Sequence, residues 1–226
     1  MKSRTLKSIF FVLSFVFLVC NTSAQLTFLP VSFSPKEHPG LNTLVIHGDF
    51  GLYNYNVCDY KALAGRVVWN PGRFSIMGGA GLLLSTDNQR SNGFITGASF
   101  GYDLKPGIHP WKPIIQIQGG IGYTKIRNLK QWNLPIALGA GWVLLPPGIN
   151  IRVWIMSRLN LRYGDDLNSI KSRRKTSLGP GVSTGISLTS PSGPGVHFGA
   201  DYLYICSRSE FLIAAGFHWD FVLNKR

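Results

Sequence analysis

From Arg73 onward the chain alternates. Phe74, Ile76, Gly78, Ala80, Leu82 and Leu84 fall on one side, and Arg73, Ser75, Met77, Gly79, Gly81 and Ser85 on the other. Period two is the geometry of a β-strand, whose successive side chains point to opposite faces. The pattern recurs and predicts ten strands, near 43–53, 62–70, 73–85, 93–104, 113–124, 132–144, 149–162, 178–188, 196–205 and 211–222. Most have the roughly 9–11 residues that a tilted strand needs to cross a bilayer. Eight strands is the alternative count.

The two faces differ in chemistry. One is apolar: Leu44, Ile46, Gly48, Phe50 and Leu52 in the first strand, Ile149, Ile151, Val153, Ile155, Ser157, Leu159 and Leu161 in the seventh. The tenth gives Phe211, Ile213, Ala215, Phe217, Trp219 and Phe221. Over the ten predicted strands this face carries no charged residue. The other face is mostly Gly, Ser, Ala, Asn and Gln, with His47, Asp49, Arg66, Asp103, Arg152, Arg158, Arg162, Asp201, His218 and Asp220 among them.

A soluble β-sandwich or a lipocalin-like barrel would bury the apolar face and expose the other. Solvent-facing strand positions then usually carry Lys, Glu and Thr, and charge guards the edges. Lys and Glu are nearly absent from these strands. Glycine and small polar residues instead suit the crowded lumen of a narrow barrel, with the apolar face toward lipid and closure satisfying every backbone group. The expected fold is an all-β, up-and-down antiparallel transmembrane barrel.

The connections alternate as well. "NPG" at Asn70, "KPGIHPWKP" at Lys105, "LPPG" at Leu145 and "SPSGPG" at Ser190 read as tight turns. The intervening ones, "NYNVCDYK", "TDNQRSN", "KIRNLKQ", "YGDDLNSIKSRRK" and "CSRSE", read as polar loops. Short periplasmic turns and polar outer loops are the asymmetry of bacterial outer-membrane barrels, and an even strand count leaves both chain ends in the periplasm. Trp69, Tyr102, Trp142 and Trp219 fall near one margin of the apolar band and Phe94, Tyr123, Trp132 and Tyr204 near the other, as interfacial girdles do.

Composition narrows the class further. Charged residues are 15% of the chain, while Gly and Pro together make 39 of its 226 residues, a pairing rare in soluble domains. Residues 1–24 read as a cleavable export signal: Lys2, Arg4 and Lys7, an apolar run from Ile9 to Cys20, then the small-residue site Thr22-Ser23-Ala24. Without them the formal net charge falls from +13 to +10. Past the signal no run of 18 uninterrupted apolar residues offers a transmembrane helix. Residues 25–42, with Pro30, Pro35 and Pro39, read as a periplasmic lead-in, and residues 43–226 as the barrel.

The repeated amphipathic strands "FITGASFGYDL" and "IIQIQGGIGYT", with the C-terminal "FLIAAGFHWDF", resemble small opacity-type bacterial outer-membrane β-barrels over about residues 43–222. Such barrels often finish on an aromatic residue, whereas Val222 to Arg226 follow Phe221 here. The resemblance implies an outer-membrane location and no single activity.

Within that frame the candidate chemistry is sparse. Cys58 and Cys206 remain after signal cleavage, in loops that barrel closure brings near each other, and an exported chain permits a Cys58–Cys206 disulfide. The inward charges Asp49, Arg66, Asp103, Arg152, Arg158, Arg162, Asp201 and Asp220 must be paired or hydrated. A structural ion-pair network is the expected arrangement, and a narrow anion-selective pore the alternative. A second alternative is an outer-membrane enzyme acting on lipid A or peptide, which needs a His near the outer rim. His47, His197 and His218 map instead to the periplasmic halves of their strands, His109 to a turn and His38 to the lead-in. Asp165 and Asp166 then read as turn polarity, and no catalytic residue, metal or cofactor is assigned.

Basic loop residues, Lys125, Arg127 and Lys130, then Lys171, Arg173, Arg174 and Lys175, are placed to meet anionic lipopolysaccharide. "GGAG" and "GGIG" lack the strand-to-helix context of a phosphate loop. Nucleic acid is excluded as a partner for an exported chain without aromatics among its basic loops. The partners left are outer-membrane lipid, lipopolysaccharide and another envelope protein, and the expected role is a scaffold.

Overall fold

The computed structural model of the chain describes residues 42–55, 58–86, 91–105, 112–127, 129–144, 148–165, 174–205 and 208–224. The expected signal segment and nearly all of the lead-in lie outside them.

Ten strands follow one another: β1 (Asn42–Tyr55), β2 (Cys58–Pro71), β3 (Phe74–Ser85), β4 (Gly93–Lys105), β5 (Ile114–Ile126), β6 (Leu129–Leu144), β7 (Asn150–Asp165), β8 (Arg174–Thr189), β9 (Pro194–Ile205) and β10 (Arg208–Asn224). Each pairs antiparallel with its sequence neighbours, and β1 closes on β10. The fold is a closed up-and-down barrel with no free edge. The closing seam runs from Thr43↔Val222 to Asn54↔Phe211 and includes the direct pair His47↔His218.

Alternation decides the wall. Along β3, Phe74, Ile76, Leu82 and Leu84 are exposed outward, while Ser75, Met77, Gly81 and Leu83 are buried inside. Along β7, Ile155, Leu159 and Leu161 are exposed and Arg152, Trp154, Met156, Arg158, Asn160 and Arg162 are buried. The outer wall thus carries a belt of exposed large apolar side chains, up to Ile136 at 63% and Phe217 at 74%. Phe211 belongs by parity to this face but is buried.

Two expectations need correction. The lumen is not lined only by small and polar groups. Tyr60, Ala62, Leu83, Ile95, Ile126, Leu212 and Ala214 form one apolar cluster, Ile114, Ala137, Val143, Trp154 and Met156 a second, and Val45, Val68 and Met77 a third. A narrow closed lumen has to be filled, and apolar side chains fill it without unmet hydrogen bonds.

The polar connections are also shorter than their sequences suggest. Only two residues separate β1 from β2, β5 from β6 and β9 from β10, so most of "NYNVCDYK", "KIRNLKQ" and "CSRSE" is strand. Backbone pairing continues past the apolar band, because a hydrated side chain does not prevent a ladder from forming. Lys61, Lys125 and Lys130 therefore stand exposed on the outer face at this end of the wall, Lys125 directly opposite Lys130. Arg127, at φ 58°, begins the two-residue β5–β6 connection, where hairpins of this length favour positive φ.

Candidate functional site

The chemistry of this molecule lies inside the barrel. β7 points three arginines inward, and each reaches past β8 to a carboxylate beyond it. Arg158 pairs with Asp201 on β9, both side chains 1% exposed, and Ser183 donates to the same carboxylate at 2.5 Å. Arg162 grips Glu210 on β10 through both terminal nitrogens at 2.6 and 2.5 Å, while its Nε donates to Asn133 at 3.0 Å. Arg152 reaches Asp220 on β10 at 2.6 Å.

β8 permits this reach because its inner face is small: Gly179, Gly181, Ser183, Gly185, Ser187 and Thr189. A Cβ on Gly181 would stand 2.8 Å from Arg158 Nε, and one on Gly185 would strike the Trp154 ring. The small residues are the floor across which the long side chains of β7 lie.

Asp49 of β1 accepts two hydrogen bonds from Arg66 of β2, the Nη2 one at 2.7 Å. Nearby Gln116 donates to Asp103 at 2.7 Å, and Gln118 to Gln116 at 2.8 Å. All eight inward charges read from the sequence therefore have a described hydrogen-bond partner in the lumen. Glu210 was missed because "CSRSE" reads as loop; only the extension of β10 to Arg208 puts it inside.

Bidentate arginine–carboxylate geometry in a nearly dry interior is the arrangement in which a charge pair offsets its own desolvation best.

A second grouping was not assembled from the sequence. His47 of β1, His197 of β9 and His218 of β10 converge, with one ligand atom from each lying within 4.8 Å of the others. Their ring centroids are 5.1, 5.6 and 5.4 Å apart. His197 Nε2 stands 2.6 Å from Asp49 Oδ1, and His218 Nε2 2.9 Å from Thr189 Oγ1. His197 Nδ1 and His218 Nδ1 face each other at 3.2 Å. The ring nitrogens of His47 are buried without a hydrogen-bond partner among the described residues.

Lys125, Arg127, Lys130 and Lys175 are exposed, with Arg127 Nε donating to Ser91 at 3.0 Å. Arg174 begins β8, and Lys171 and Arg173 lie outside the described residues. Asp165 accepts from the Lys130 backbone N–H at 3.0 Å, a strand-end tie between β7 and β6, and Asp166 is outside the description. Cys58 opens β2, and Cys206 lies outside the described residues, so the disulfide does too.

No protein-family model and no curated protein matches the chain. Among solved structures it is similar to the N-terminal β-barrel domain of Pseudomonas aeruginosa OprF, with 13% identity and a TM-score of 0.42, over 80% of this chain and 99% of that one. It is also similar to Neisserial surface protein A, with 14% identity and a TM-score of 0.36, over 80% and 97% of the two chains. A third is the outer-membrane expressed OmpT of Vibrio cholerae, with 10% identity and a TM-score of 0.31, over 76% and 64%.

Proposed function

We propose that this protein is an integral barrel of a bacterial outer membrane, delivered by the signal read at residues 1–24, and that it works as an anchored scaffold with a plugged lumen. The apolar belt supports the membrane reading. Leu63, Phe100, Ile136, Leu138, Phe198 and Phe217, spread around the wall, are each about half exposed or more, and contiguous apolar surface of that extent suits lipid far better than water. Strands of 12 to 17 residues are long enough to cross the hydrocarbon and emerge at both faces.

The observation that carries the scaffold reading is the state of the interior charges. A conducting pore needs its charged groups wet, available to passing ions and weakly held. Here Arg66, Arg158 and Arg162 and their carboxylates are at most 8% exposed and mutually paired. Three clusters of buried apolar side chains share the interior with them. Function then sits on the surface: Lys61, Lys125, Lys130 and Lys175 are exposed, and such cations attract the phosphates of lipopolysaccharide or an acidic envelope protein.

Planar-bilayer recording of the purified barrel tests this. The expected trace is flat, and Arg158→Ala with Asp201→Ala introduces conductance. Stable unitary conductance in the wild type, altered in ion selectivity by Arg158→Ala, would replace the scaffold with the anion pore.

A further inference from the structure

We propose that His47, His197 and His218 form a binding site for one divalent transition-metal ion of the zinc class, placed across the closing seam of the barrel. The inference is independent of the scaffold reading.

Three observations meet here. First, the spacing fits. Imidazole nitrogens on a tetrahedral zinc at about 2.0–2.1 Å stand about 3.4 Å from one another, with ring centroids about 5.3 Å apart. His197 Nδ1 and His218 Nδ1 are already 3.2 Å apart, and the three centroid separations are 5.1, 5.6 and 5.4 Å. One ligand atom from each of the three rings lies within 4.8 Å of the others.

Second, the outer nitrogens are held from behind. The Nε2–H of His197 donates to Asp49, which Arg66 in turn fixes, and His218 Nε2 lies 2.9 Å from the Thr189 hydroxyl, which accepts from it in the metal-binding tautomer. A ligating histidine almost always donates its other N–H in this way, to a carboxylate or another acceptor, which fixes ring and tautomer. With both Nε2 atoms protonated, two Nδ1 lone pairs face each other. That contact is repulsive unless a cation lies between them.

Third, neither ring nitrogen of His47 has a hydrogen-bond partner among the described residues. Burying an imidazole with neither nitrogen bonded is costly, and a metal bond to one nitrogen relieves part of that cost. The neighbouring charges leave room for a dication: Asp49 cancels Arg66 and Asp220 cancels Arg152.

The backbone is shaped for the rings as well. Gly195 and Gly216 lie directly across β9–β10 from His218 and His197, and a Cβ on either would run into that imidazole. Larger residues at these positions would expel the rings. Imidazole ligands select zinc, copper, nickel and cobalt over calcium or magnesium. Three protein ligands leave a fourth position for water. The bound ion would tie the first strand to the last two, at the point where the barrel closes.

The competing arrangement is a plain hydrogen bond from one Nδ1–H to the other Nδ1, with the Thr189 hydroxyl donating to His218 Nε2 and His47 left unsatisfied. The test separates the two. Full-length barrel without a histidine tag is folded in detergent, stripped with chelator, titrated with zinc chloride and measured for bound metal. The expected result is one zinc per chain, at least tenfold weaker binding in His47→Ala and His197→Ala, and tetrahedral cobalt(II) bands in the visible spectrum of the cobalt-loaded protein. Chelation should also lower the temperature at which the folded gel band converts to the unfolded one, in wild type but not in His197→Ala.

Asp49→Asn provides the milder variant should the alanine forms fail to fold, with weaker zinc binding expected in a barrel that keeps its three histidines. Absence of stoichiometric zinc, or zinc binding of equal strength in wild type and both histidine variants, overturns the proposal.

Discussion

Consider removing one half of the Arg158–Asp201 pair. Both side chains are 1% exposed, and Asp201 is also held by Ser183. Truncating either partner strands an uncompensated charge in a dry lumen, which costs about 3–5 kcal/mol. Replacing both with apolar side chains of similar size, Arg158→Met with Asp201→Leu, removes both desolvation penalties. It leaves the Ser183 hydroxyl without its acceptor, a loss of about 1–3 kcal/mol. The double variant should therefore unfold nearer to wild type than either single one, with a coupling free energy of several kcal/mol. Urea unfolding of the purified barrel in detergent, read from the fraction of heat-modifiable gel band, measures all four corners of the cycle. Single variants that each lose less than about 1 kcal/mol and add in the double would refute the reasoning, because water would then be reaching the pair.

Two further outcomes test the wall and the floor. Ile136→Lys, at the middle of β6 on the outer face, should destabilise the folded barrel in liposomes by about 2–4 kcal/mol. Lys130→Ala at the strand end should change it by less than about 0.5 kcal/mol, and urea titration in lipid compares the two. Gly185→Ala should lower the unfolding free energy by about 1–3 kcal/mol, because the new methyl meets the Trp154 ring. Gly185→Ala combined with Trp154→Leu should recover part of that loss in the same titration.

The barrel was legible because its wall obeys one rule. Leu159 and Arg158 are adjacent in sequence, and period two alone sends one outward and the other inside. Strand ends were less legible. Lys125 and Lys130 read as loop charges, yet the ladder carries both beyond the apolar band before turning. The same extension hid Glu210 as the partner of Arg162.

Inner apolar residues such as Leu83 and Leu203 carry no sequence mark of their own, because hydrophobicity alone points equally to the outer face. The histidine cluster could not be assembled from spacing. His47 lies 150 residues before His197, and only the registers of the β1–β10 and β9–β10 pairings together make them neighbours.

The reach of β7 over β8 also makes the filling of this molecule lopsided. Much of its stuffing hangs from a single stave, while the adjoining stave contributes almost no bulk. An engineer wishing to hollow the tube would begin by trimming Trp154, Met156, Arg158 and Arg162 together with their acidic counterparts, leaving the outer coat untouched. Trading glycine for bulk along β8 would do the opposite, crowding the bore and pressing the two staves apart.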